Sequence, residues 1–167
     1  MPRRAPTPKR AAARPTPPSR RKPLVPLSAV RAYLVAQSEV VAPEDIRTLL
    51  TQVDSIRHKA KLDMVQHPRF HRQVDVALEL LVDHTAGECP QIPLYTVSLL
   101  AAALFYFIEP MDLIPDFIPR IGLTDDALML ELACQLGAPG LDRYCTFKSI
   151  ATDGVFTRPG TLARRRS

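Results

Sequence analysis

Cysteine is scarce in this sequence. Cys89, Cys134 and Cys145 are all there are, an odd number with no CxxC pair. That pattern argues against a disulfide framework or a structural zinc site and fits a reducing compartment. The signatures of common catalysts are missing too: there is no phosphate-binding P-loop, no nucleophile elbow and no HExxH. Acidic residues are absent from both ends. Residues 1–23 and 158–167 hold none of the seventeen Asp and Glu. The basic N-terminal stretch is followed by prolines where a secretory signal would continue with an apolar segment. Its seven prolines also forbid the amphipathic helix of a transit peptide. The expectation is a cytoplasmic protein, or one that meets a membrane from the cytoplasmic side.

What is present is segregated charge. Arg3, Arg4, Lys9, Arg10, Arg14, Arg20, Arg21 and Lys22 crowd the first 23 residues, and Arg158, Arg164, Arg165 and Arg166 lie in the last ten. The body from 24 to 157 sets ten Lys and Arg against all seventeen acids, a net of −7. The formal net charge of +5 therefore describes an acidic globule with two basic arms. Residues 1–23, rich in Pro and Arg, have nothing apolar to bury and are expected to be a disordered arm. Such an arm suits anionic lipid or, through its phosphates, nucleic acid; a plain solubilising tail is the alternative. No aromatic residue interleaves its charges, which argues against single-strand recognition.

Between the arms the periodicity is helical. Leu27, Val30 and Leu34 predict a short helix to about Gln37. Pro43 opens a second, with Glu44 and Asp45 at its positive end and a stripe of Ile46, Leu49, Leu50, Val53, Ile56 and Ala60. Asp54, Arg57, Lys59 and Lys61 form its polar face. Pro68 starts a third, which ends near Gly87. His67, His71 and Asp75 are spaced like metal ligands along a helix, but Pro68 pushes His67 out of helical geometry, so an ordinary histidine pair is the reading. Ile92 to Ile108 then runs seventeen residues without a charge. A membrane span needs about twenty such residues, and no Lys or Arg flanks this run closely. A core helix wrapped by the amphipathic ones accounts for it, with a span as the alternative.

The residues that follow carry the chemistry. Asp112-Leu113-Ile114-Pro115 is repeated at once as Asp116-Phe117-Ile118-Pro119. Prolines four apart exclude a continuous helix. Each Asp can cap a single turn whose first residues include the proline. Gly122 supplies a turn, and Thr124, Asp125 and Asp126 open a helix Ala127–Leu136 that is apolar except at Glu131 and Gln135. Glu109, Asp112, Asp116, Asp125 and Asp126 place five carboxylates within eighteen residues. Asp112, Asp116, Asp125 and Asp126 could hold Mg or Ca, with metal-assisted hydrolysis as the attendant activity. Helix capping explains the same spacing without any cofactor.

The run FYFIEPMDLIPDFIPRIGLTDDA resembles the signature of the YkvA-type domain, a bacterial domain of unknown function also found in some eukaryotic membrane proteins. The likeness covers Leu99 to Ala133, about a fifth of the chain. It rests on Tyr106, Pro110, Asp112, Pro115, Asp116, Pro119, Gly122, Asp125 and Asp126, with Met111 a mild departure. The resemblance implies a helix, a proline-rich elbow and a second helix, and it marks Glu109 and these motif residues as functional candidates. It implies no reaction, and it carries the family's description as membrane-associated. The resulting expectation is an all-α bundle of five or six helices over 24–157, containing a hairpin at 92–137. It would act as a non-enzymatic module for a membrane surface or another protein. A divalent-metal site and weak nucleic-acid binding through the arms are the alternatives.

Overall fold

The computed structural model describes residues 26–62, 68–108 and 123–156, and within these it is helical throughout. Seven α-helices follow in order: α1 (Leu27–Val40), α2 (Pro43–Leu50), α3 (Val53–Leu62), α4 (Pro68–Ala86), α5 (Leu94–Ile108), α6 (Leu123–Leu136) and α7 (Ala138–Phe147). A single 3-10 turn at Thr152–Gly154 closes the described chain. The all-α expectation holds, with more helices than the five or six foreseen.

The centre is α5. Eleven of its fifteen residues are buried, from Thr96 through Leu104 and at Tyr106 and Phe107. It packs against α1, α4 and α6, with α2 and α7 completing the enclosure. An uncharged helix is stable in a folded protein when neighbours cover it, and this one is covered from Thr96 onward, with Leu94 and Tyr95 of its first turn left exposed. Truncating one of its fully buried leucines, such as Leu100, would cost about 2–5 kcal/mol. No helix among the described residues is long and apolar enough to cross a membrane.

The hairpin forms as anticipated. α5 ends at Ile108, α6 begins at Leu123, and the two lie antiparallel. Thr96, in the first turn of α5, donates its hydroxyl to the carbonyl of Gly137, just past the end of α6 (3.3 Å). α4 also runs antiparallel to α5, since Phe70 near its start meets Phe107 near the end of α5, ring centroids 5.2 Å apart. Gly87, at φ 72, ends α4 where the sequence placed the stop. There the Glu88 N–H donates to the Asp83 carbonyl (2.8 Å), closing the last turn.

Three boundaries differ from the expectation. The helix opened by Pro43 is two helices. At Thr51 and Gln52 the backbone N–H groups donate to Thr48 and Leu49, three residues back, and the Thr51 hydroxyl also donates to the Thr48 carbonyl (2.7 Å). Tightening of this kind, helped by a β-branched residue with a competing hydroxyl, ends α2 although the apolar stripe continues. The second difference is α6, which starts at Leu123, so Asp125 and Asp126 lie inside its first turns and do not precede it. The third is α7, a helix beyond the five or six expected. Its start has Pro139 in the first turn, where no donor is needed. Its end has Ser149 in the left-handed region (φ 56) while the Ile150 N–H reaches back to the Cys145 carbonyl (2.8 Å).

Candidate functional site

Most of the residues singled out by the sequence lie outside the described residues. Glu109, Pro110, Asp112, Pro115, Asp116, Pro119 and Gly122 fall between the end of α5 and the start of α6, and the basic residues of 1–23 and 158–167 fall in the arms. The described structure supplies the frame on which the elbow is mounted: the last turn of α5, the first turns of α6, and the parts of α1, α3 and α4 beside them.

That frame has specific electrostatics. The last turn of α5 contains no basic residue of its own, so the negative end of its dipole needs a cation from elsewhere. Lys59 of α3 provides it. Its ammonium donates to the carbonyl of Phe107 and stands 4.3 Å from the centroid of the Phe107 ring. The contact joins a charge-assisted hydrogen bond to a cation–π interaction, and its aliphatic stem lies half-buried. The sequence put Lys59 on a solvated face. Nothing local distinguishes it from Lys61, which is exposed, because the partner lies 48 residues away.

Tyr106 is buried and meets the ring of Tyr33 from α1 edge-on, centroids 6.4 Å apart. Burial raises the Tyr33 phenol above its usual range, and among the described residues its hydroxyl has no hydrogen-bond partner. Asp126 is 7 % exposed in the first turns of α6, a carboxylate taken out of water at the positive end of a helix. Of the four proposed metal ligands it is the one whose side chain the structure describes.

Of the two histidines singled out, the structure describes His71, which contacts a carboxylate. His71 Nδ1 lies 3.3 Å from Asp75 Oδ2, whose other oxygen is 3.4 Å from Arg57 Nε on α3. His67 is outside the described residues. Among the described residues no three His, Cys, Asp or Glu side chains converge as metal ligands. The described cysteines are free thiols, and burial pushes the Cys134 thiol up, so it stays protonated.

Two polar networks that the sequence could not show hold the bundle around this frame. Gln73 of α4 is 2 % exposed and donates its amide to Glu131 Oε2 on α6 and to the carbonyl of Val155, both at 2.6 Å. Gln135 donates to the other Glu131 oxygen (2.8 Å), and Arg69 lies 3.5 Å from it on the first. Glu131 is therefore the charged residue that the apolar stretch after Asp126 can carry. At the far end of the bundle, Asp83 accepts from Tyr144 (2.8 Å) and Lys148 (2.7 Å), pinning α7 to the end of α4. The Lys148 ammonium chiefly holds the Asp83 carboxyl below its usual range. Burial first, and then Asp83, push the buried Tyr144 phenol up.

The comparisons with known proteins fall on this hairpin. The family described as "Protein of unknown function (DUF1232)" matches residues 96–132, which run from the first turn of α5 through the elbow into α6. The chain is also similar to the uncharacterized membrane protein YkvA of Bacillus subtilis (strain 168). The two are 32 % identical over 89 residues, which cover 53 % of this chain and 78 % of that protein. The chain belongs to the DUF1232 family. The family's matched span begins at Thr96, the residue that clasps the end of α6, and the resemblance read from the motif is thereby confirmed within three residues at its start. No solved structure matches the chain.

Proposed function

We propose that this DUF1232 protein is a non-enzymatic helical module that attaches peripherally to an anionic membrane surface through its basic arms. The observation that carries the reading is the fate of α5. The most apolar helix of the chain is buried at eleven of its fifteen positions, so most of its hydrophobicity serves the core. A relative described as a membrane protein supports a membrane setting. Attachment then falls to surface electrostatics. Each Lys or Arg near an anionic leaflet contributes about 1 kcal/mol, and residues 1–23 supply eight without one opposing acid.

Co-sedimentation of the full chain with vesicles tests this. Pelleting is expected with vesicles of phosphatidylcholine and phosphatidylserine and not with phosphatidylcholine alone. It should weaken as salt rises and vanish when residues 1–23 are deleted. A chain that stays in the supernatant under all these conditions overturns the proposal.

A further inference from the structure

α1 buries one side only. Val30, Leu34 and Ser38 face the bundle, while Ser28, Arg31, Ala32, Val35, Ala36 and Glu39 line an open groove of about 460 Å³ on the opposite side. Leu27 and Val40, 56 % and 72 % exposed, flank it at the two ends of the helix. Arg31 and Glu39 are both exposed, and among the described residues neither forms an ion pair.

The placement of these two charges is self-complementary. Each lies four residues from Val35, or about 6 Å along the axis in opposite directions. Laying a second α1 antiparallel across the first, with a two-fold axis at Val35, sets Arg31 against the other copy's Glu39, and the reverse. A parallel pairing would oppose like charges and is disfavoured. Between the charges the side chains are Ala32, Val35 and Ala36, with Ser28 beyond, small enough for helix axes to approach to about 8–10 Å. Such a surface satisfies what a two-fold contact demands, namely that one patch complement itself.

We infer that the outer face of α1 is a homodimer interface in which two copies pack antiparallel about Val35 through reciprocal Arg31–Glu39 pairs. A fourteen-residue helix is about 21 Å long, so the contact falls below the roughly 800 Å² per partner of a standard interface. The dimer is therefore reversible, and its population rises with protein concentration. This association is independent of the membrane reading and does not require it.

Sedimentation equilibrium of the full chain from about 1 to 300 µM at low salt decides the matter, a range suited to a small interface. The weight-average mass should climb from 18.6 kDa toward twice that value. Arg31→Glu and Glu39→Arg should each shift the midpoint to about tenfold higher concentration, because each opposes like charges in both halves of the contact. The double variant Arg31→Glu/Glu39→Arg should restore it, since the exchanged pairs are again complementary. Val35→Arg, which brings two cations together on the axis, should abolish it with the helical circular dichroism unchanged. A mass of 18.6 kDa at every concentration overturns the inference. So does a dimer indifferent to the single charge reversals, or one that the double variant fails to restore.

Discussion

Asp83 holds two donors at once, and the consequences can be measured. Its partner Tyr144 is fully buried, whereas Lys148 is about a third exposed. Asp83→Ala leaves the Tyr144 hydroxyl without its acceptor and should cost about 1–3 kcal/mol in a urea titration. Lys148→Met removes an exposed charge and should move the urea midpoint far less than Asp83→Ala does. The same site gives a pH signature. Lys148 holds the Asp83 carboxyl below its ordinary value, so the native state binds that proton less tightly than the unfolded chain does. The contribution is complete above about pH 4 and is lost as the pH falls through the native value. Asp83→Asn should flatten that acid limb. On the alkaline side the unfolded chain releases the tyrosine proton near about pH 10 while native Tyr144 retains it, so stability falls above that point. Gly140 is tightly confined. A Cβ there would overlap the Thr96 hydroxyl and lie 2.8 Å from the Thr96 Cβ, where α7 crosses the start of α5. Gly140→Ala should lower stability by about 1–3 kcal/mol through overpacking, read as a fall in urea midpoint at constant slope.

At the scale of elements, the segment after α7 acts as a strap. It turns back along α4, where Arg72 donates to the Ala151 carbonyl (3.1 Å) and Gln73 to that of Val155, and it ends with Val155 and Phe156 buried. Gln73→Leu removes both of that side chain's bonds and strands the Val155 carbonyl. The backbone amides of Val155 and Phe156, which donate to Thr152, should then exchange faster with solvent while α5 stays protected. An equal acceleration across all helices would show that Gln73 supports the whole bundle and not the strap. This element also marks how far the sequence was legible. α4 and α5 were readable because proline, glycine and an unbroken apolar run are local signals. The break between α2 and α3 was not, because the apolar stripe passes through Thr51 and Gln52 unchanged while the hydrogen bonds beneath it shorten from four residues to three. α7 lacks a clear local signal, because its buried Leu141 and Tyr144 are interspersed with Pro139, Gly140 and Arg143, and its stability comes from contacts with Thr96 and Asp83 far away in sequence. At the candidate site the same division applies. The motif and its family could be read from residue order, and the position of Asp126 in a helix start was nearly right. Lys59, Gln73 and Glu131 owe their roles to partners 48 to 82 residues away, which no spacing rule reaches.

Across the whole molecule, apolar character and charge are sorted in opposite directions. The uncharged helix is central, the acids belong to the body, and twelve of the twenty-two Lys and Arg lie in the arms, where there is no acid. Such a molecule resembles a membrane protein in its hydropathy, since α5 has the composition of a short span. Its described helices nevertheless include none able to cross. An integral protein and a charge-attached one respond differently to extraction. Electrostatic attachment is screened over about 10 Å at 0.1 M salt and about 3 Å at 1 M, whereas a span buried in hydrocarbon is indifferent to salt. In membranes from cells expressing the full chain, the proposed mode of attachment predicts release by about 1 M salt and by alkaline carbonate, which strips peripheral contacts although the arms, with ten arginines to two lysines, keep most of their charge. Arm-deleted protein should appear in the soluble fraction without any wash. Retention after both washes would mean that apolar surface holds the protein in the bilayer, and the enclosed α5 would have to leave the bundle to supply it.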